Sequence, residues 1–400
     1  MRSTAKNFRL FLIRLWQPLL LYVLAISGIV SFLFLKLGSL VPGLSKTENI
    51  FTNGDNSLKA LAHNPIYAPS KLGLYILEKL NLTSTFALRS ISAIFGLLTV
   101  WLFFYLLRQW HTTRMAVLGT LLFSSSALFL HNARLATPSI IFLVALLLLL
   151  TFGLWVRKTK KSFLVVMAGT VFFLGTLYIP GLVWFSLTGA FWERKLLRKH
   201  VKHAPATAGL MAAGIVIVMS APLAWGIWHT PSLARLVVGL PQHSLPSVID
   251  FASNVMNVPL NFVLRGPNDP VLWLGRMPFL DIFTLAMVIL GVYVWYSKRK
   301  LDRFKLYIGY FLLGLVLCGL GVVSNVIFLP LVYIFATSGM TLMLQQWFTV
   351  FPRNPLARAI GTSVLTVAIL TTSYYHINRY FIAWPNAPQT KQVFQDKNFK

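Results

Sequence analysis

Acidic residues are scarce. The 400-residue chain holds nine Asp and Glu against 36 Lys and Arg, for a formal net charge of +27. Cysteine is almost missing: Cys318 stands alone, which excludes intrachain disulfides and thiolate metal clusters. Charge of either sign is thin, at 11% of residues, whereas 56% are hydrophobic. A water-soluble domain has no way to hide that much apolar surface. The apolar runs lack the dyad alternation of a barrel, and open strands cannot span lipid with unpaired edges. What is left is an all-α polytopic membrane protein. In such a protein a basic surplus follows topology, because cytoplasmic loops collect Lys and Arg. Nucleic acid is therefore not an expected partner; membrane lipid is.

Apolar runs predict about eleven spans, near 18–35, 87–107, 115–130, 138–156, 163–177, 180–192, 206–228, 279–297, 305–322, 326–345 and 358–375. Arg2, Lys6, Arg9 and Arg14 precede the first run, and no clean small-x-small site follows it, so this span is expected to stay uncleaved. Three basic clusters set the orientation: "RKTKK" (157–161), "ERKLLRKHVKH" (193–203) and "KRKLDRFK" (298–305) are expected in the cytoplasm. Only residues 162–192 separate the first two, and both ends on one side demand an even number of crossings. A short helical hairpin follows, broken near Tyr178-Ile179-Pro180-Gly181, where Pro withholds a donor and Gly relaxes the turn. This topology places loops 38–85 and 229–278 and the tail 376–400 outside, with the N-terminus in the cytoplasm. Glu48, Asp55, Glu78, Asp250, Asp269, Asp281 and Asp396 then fall on or near the outer face, against Glu193 and Asp302 inside. In the first loop, "SKLGLYILEKL" spaces Leu72, Tyr75, Ile76 and Leu80 as an amphipathic helix lying on the membrane surface. "SLARLVVGL" and "PSVIDFASNVM" give weaker signals of the same kind.

The stretch "LFLHNARLATPSIIFLV" puts His131, Asn132 and Arg134 on a short outer link between the third and fourth spans. Two readings stand beside each other. Arg134 snorkels to lipid phosphate, or its planar fork clamps a phosphate bidentately while His131 and Asn132 bond a sugar or pyrophosphate. Arg89, Arg265 and Arg276 lie at comparable depth. Thr137 is the expected N-cap of the next helix, with Pro138 in its first turn. Chemistry on a lipid-phosphate sugar needs a base for the acceptor and cations for the leaving phosphate. The first outer loop offers Glu48 and Asp55 as bases, although spacing alone favours a solvated surface acid for each. No metal ligands are assigned, and a divalent-metal requirement is left open.

At these residues the chain resembles a known family. "LRSISAIFGLLTVWLFFYLLRQWHTTRMAVLGTLLFSSSALFLHNARLATPSIIFL" (Leu88 to Leu143) is similar to the second-to-fourth-span signature of GT-C superfamily membrane glycosyltransferases, in the branch of protein O-mannosyltransferases and the lipid A aminoarabinose transferase. "PGLSKTENI" resembles that family's P-G-L-x-x-D-E-A segment, "NPIYAPSKLGLYIL" its P-P-L-Y-Y-x-L segment, and "SNVIFLPLVYIFATSGM" its R-Y-L-L-P-x-L-P span. The resemblance implies a GT-C-like bundle in the cell membrane and a polyprenyl-phosphate sugar as donor substrate; it assigns no cofactor and leaves a divalent metal open. It also implies transfer with inversion to an outer-face acceptor (glycan, lipid or protein), and a loop carboxylate as base. Tyr67 joins Arg134, His131, Asn132, Arg89 and Arg265 as substrate-binding candidates on the same ground. The departures fall on the acids: Thr47 stands at the family's Asp, with Glu48 at its Glu. Ser139 stands at the later acid, and Val326 and Ile327 replace the span arginine. Three functions follow in order: a glycosyltransferase, a GT-C-like protein that binds carrier lipid or assists a partner without transfer, and a transporter or flippase of lipid-linked substrate.

Overall fold

The protein was studied as a computed structural model that describes residues 23, 26–52, 57–242 and 244–395; Asp55 and Asp396 lie outside them. Every regular element among these residues is helical. That outcome is dictated by the solvent: in lipid, backbone donors and acceptors must pair within their own segment. Among the described residues five helices are long and apolar enough to cross a membrane: Thr85–Arg108, Ser139–Lys158, Ala206–His229, Asn325–Val350 and Pro355–Asn386. A sixth crossing arises if the bent pair Thr113–Ser125 and Ala127–Arg134 counts as one. Other runs read as spans from sequence are shorter helices, such as Ser162–Thr176, Val183–Trp192 and Ile282–Ser297.

The expected hairpin is present. Ser162–Thr176 and Val183–Trp192 flank a turn at 177–182, with Gly181 at φ +70°. A 15-residue helix rises only about 22 Å, so this pair does not span a full hydrocarbon core upright. The chain segments that enter and leave it meet, since Arg157 bonds Glu193 through Nε at 2.8 Å and again through its second guanidinium nitrogen.

One expected span is interrupted. The run near 115–130 bends by 64° between Ser125 and Ala127, although it contains no proline. Ser124, Ser125 and Ser126 each turn their hydroxyls back onto carbonyls three residues earlier, and Ser126 takes extended backbone angles. Such local bonds compete with the helical ladder and bend it. The "HNAR" segment is consequently the last turn of a buried helix, not an exposed link.

Close backbone approach fixes the centre of the bundle. A Cβ at Gly291 would fall 1.8 Å from the Phe335 carbonyl oxygen, and one at Gly339 2.0 Å from that of Met287. Small residues let helices Ile282–Ser297 and Leu329–Val350 touch main chain to main chain, as membrane helices commonly do. The surface helix of the first loop runs from Ala68 to Lys79. It presses Ser70 and Leu74 inward and leaves Leu72 and Ile76 exposed, the placement expected of a helix seated on a bilayer.

The bundle has two distinct ends. Helix Thr85–Arg108 carries Arg89 near its start, and at its far end, roughly 30 Å away, Gln109 takes a bond from Lys158. All three basic clusters gather at that second end: Arg157 meets Glu193, and Lys298 and Arg303 flank His111. The first end collects Glu48, Arg89, Arg134 and the chain after Asn378.

Candidate functional site

Ser45-Lys46-Thr47-Glu48 starts helix Lys46–Thr52 as a capping box. The Glu48 amide donates to Ser45 Oγ at 3.3 Å, and the Ser45 amide donates back to Glu48 Oε2 at 2.9 Å. The same carboxylate is the anchor of the whole end of the bundle. Arg89 Nε donates to Oε1 at 2.9 Å and Nη2 to Oε2 at 3.0 Å, a bidentate fork. The amide of Ala136, just past the "HNAR" turn, donates to Oε1 at 2.9 Å, and Ser45 Oγ to Oε2 at 3.1 Å. Glu48 is 0% exposed and Arg89 1%. Arg89 also donates to the Leu37 and Gly43 carbonyls. One ion pair thus ties the chain after the first span, the first loop, the second span and the "HNAR" segment together.

Arg134 is equally occupied and 1% exposed. Its guanidinium donates to the carbonyls of Phe32 and Leu35 and, through Nε, to the Tyr380 hydroxyl at 3.2 Å. It also lies over the rings of Tyr380 and Phe381. This excludes the snorkelling geometry: the side chain points into protein. His131 is enclosed by the rings of Trp384, Tyr380 and Trp273 at 4.5, 4.7 and 5.6 Å, and its Nδ1 has no partner among the described residues. Asn132 Nδ2 bonds back to the Leu128 carbonyl in its own helix. Thr137 does not cap the following helix; Pro138 holds the cap position and the Thr137 hydroxyl reaches Ser139.

Tyr67 sits in the left-handed region at φ +60°, its amide bonded to the Tyr178 carbonyl in the hairpin turn. Burial pushes its phenol up to about 12. Arg265 is exposed and makes none of the buried cluster's ion pairs among the described residues. The structure therefore unites Glu48, Arg89, Arg134 and His131, places Tyr67 at the hairpin turn, and leaves Arg265 at the surface. Asp55 lies outside the described residues. Among the described residues no group of three or more His, Cys, Asp or Glu is placed to hold a metal ion.

No family model and no curated protein sequence matches the chain. Solved structures do. ArnT from Cupriavidus metallidurans bound to undecaprenyl phosphate aligns over 94% of this chain and 77% of its own, at TM-score 0.50 and 14% identity. Its apo state aligns over 94% and 76%, at the same TM-score and identity. The fold is GT-C-like. AglB from Archaeoglobus fulgidus, in complex with an inhibitory peptide and a dolichol-phosphate, aligns over 90% of this chain and 56% of its own, at TM-score 0.49 and 15% identity.

On this GT-C-like frame the last segment of the chain supplies groups that sequence reasoning missed. Phe394 lies against Arg89, Trp384 against Phe394, and Tyr380 stacks on Trp384 at 5.4 Å before reaching Arg134. Three aromatic rings thus bridge two guanidinium groups. Arg379 covers Trp273 at 3.9 Å and donates to the Pro278 carbonyl. A second buried acid–base contact joins Asp281 to His376, with Nε2 3.1 Å from Oδ2. Burial alone would raise the Asp281 carboxyl. Bonds from His376 and from the hydroxyl and amide of Thr284 outweigh it and hold the carboxyl below its usual range. Asp281 and His376 are 95 positions apart, a separation that carries no motif. The capping box is different: S-x-x-E was readable in "SKTE" and is the signal that Glu48 has structural work.

Proposed function

We propose that the protein acts on a polyprenyl-phosphate-linked sugar at the face of the membrane where Glu48, Arg89 and Arg134 gather, as a GT-C-type glycosyltransferase. The observation that carries this reading is the convergence of the first loop, the "HNAR" turn and the C-terminal segment at one end of a GT-C-like bundle. The alignment with a protein bound to undecaprenyl phosphate across 94% of this chain supports it. In this reading Glu48 is a positioning residue. A carboxylate already taking five hydrogen bonds from Arg89, Ser45 and Ala136 has its oxygens occupied and is not free to accept an acceptor's proton. Asp55, in the same loop, is then the base, and the exposed cations of the outer loops, including Arg265, meet the carrier phosphate.

A second reading has an observation of its own. Both Glu48 and Arg134 are spent on the protein itself, as expected of a scaffold that binds carrier lipid without transfer. Transfer from a labelled polyprenyl-phosphate sugar, measured in membranes carrying wild type or Asp55→Asn, separates the two. Loss of a general base lowers the rate by about 100- to 10,000-fold, and that loss is expected for Asp55→Asn. Wild-type membranes that bind the carrier but transfer nothing, or an unimpaired Asp55→Asn, would remove the transferase reading with Asp55 as base.

A further inference from the structure

The basic end of the bundle contains a cavity of about 670 Å³, far from the Glu48 cluster. Its walls are Leu149, Phe152 and Gly153 from helix Ser139–Lys158, Phe173 from the hairpin, and Tyr310 from helix Asp302–Gly319; Arg157, Glu193 and Arg303 stand in its lining too. Taking a methylene as occupying about the ~30 Å³ of a water molecule, this space takes an acyl chain of roughly twenty carbons. Water is a poor occupant of a space lined so largely by hydrocarbon.

Three further features describe what belongs there. Helix Arg194–His203 lies along the cavity, contributing Leu197 and Val201 to its lining while carrying Arg194, Lys195, Arg198, Lys199 and Lys202. An apolar face with a cationic one is the pattern of a helix at the interface of an anionic leaflet. Arg157 is neutralised by Glu193, but Arg303 has no carboxylate within salt-bridge distance among the described residues. Tyr307, 2% exposed and also in the lining, has a hydroxyl without a hydrogen-bond partner among the described residues. A buried orphan donor calls for an acceptor that is not protein.

We infer that this cavity holds one acyl chain of an anionic phospholipid from the leaflet facing the basic loops. Its phosphate lies by Arg303, and an ester or phosphate oxygen accepts from Tyr307. The site is separate from the proposed transferase site and does not depend on it. It would let lipid composition at one face set the packing of helices that reach the other.

Gly153 gives a clean perturbation, because a Cβ there would meet nothing within 4 Å. The test uses full-length protein in nanodiscs of phosphatidylcholine doped with a phosphatidylglycerol bearing a photoreactive group near the end of one chain. Adducts are mapped by peptide mass spectrometry. Labelling is expected on helices Ser139–Lys158 and Ser162–Thr176, and Gly153→Trp should lower it about tenfold, the equivalent of ~1.4 kcal/mol. Arg303→Gln should reduce the preference for phosphatidylglycerol over an equally photoreactive phosphatidylcholine by about fivefold, the worth of one cation at an anionic surface. If Gly153→Trp fails to fold, Gly169→Leu fills the same space, since its Cβ meets only Phe152, at 3.5 Å. Adducts confined to other helices, or labelling unchanged by either filling variant, would overturn the chain site. Equal labelling by both head groups would overturn the anionic assignment.

Discussion

Glu48→Gln tests whether the ion pair with Arg89 is what closes the end of the bundle that holds it. The substitution keeps the side-chain shape but replaces a charge that takes five bonds with one neutral acceptor oxygen and an NH2 group. That NH2 must face donors whichever way it turns: Arg89 Nε and the Ala136 amide at one position, Arg89 Nη2 and Ser45 at the other. Arg89, 1% exposed, is left as an uncompensated buried charge. Breaking a buried pair on one side costs about 3–5 kcal/mol. Cys318, the single cysteine, is buried and serves as the reporter: a thiol-reactive dye labels it only on opening. At a tenfold effect per ~1.4 kcal/mol, opening becomes on the order of a hundred- to several-thousand-fold more frequent. Arg89→Met should cost a similar amount. The double variant removes both charges together and should cost less than the sum, with a coupling of about 0.5–3 kcal/mol. Strict additivity, or a Glu48→Gln protein whose Cys318 is as protected as in wild type, would refute the claim that this pair organises the site.

Two further outcomes are expected. Burial, then the charges of Arg303 and Lys298, lower the His111 ring to about 4, so folding favours its neutral form; the stabilisation is complete above about 6.5 and is lost as pH falls through about 4. The loss is up to about 3 kcal/mol, and His111→Gln should flatten this acid limb of a Cys318-protection curve; an unchanged limb would assign it to other groups. In a Cys318→Ala background, an impermeant thiol reagent on intact cells should label Lys59→Cys and spare Lys160→Cys, both exposed positions; the opposite pattern would invert the topology and move the Glu48 cluster into the cytoplasm.

The elements that were legible in the sequence are those set by local chemistry. The hairpin break at Pro180-Gly181, the surface helix Ala68–Lys79 and the gathering of basic clusters follow from one residue's backbone constraint, one helical period and one membrane rule. The bend at Ser126 was written in three consecutive serines, yet serine in a greasy run is usually absorbed without a kink. The site was harder to read because its partners are distant. Arg134 was recognised as unusual, but its partners are two backbone carbonyls about 100 positions earlier and a tyrosine 246 positions later. Carbonyls carry no sequence signal, and no spacing rule links Arg134 to Tyr380. Glu48 was singled out for its charge, whereas the serine three residues before it tells what that charge does.

The aromatic bridge of Tyr380, Trp384 and Phe394 has a consequence for how the protein is made. Arg89 and Arg134 enter the membrane early in synthesis, hundreds of codons before the rings that cover them. During that interval two guanidinium groups near the apolar core have incomplete partners, a state that lipid tolerates poorly. Glu48 is already present and can quiet Arg89, but Arg134 must wait for the last helix. This end of the bundle is therefore unfinished until residues 380–394 arrive, and insertase or chaperone engagement should persist until they do. A stop codon after Asn378 would leave every predicted span intact and still produce a molecule that membrane quality control treats as incomplete.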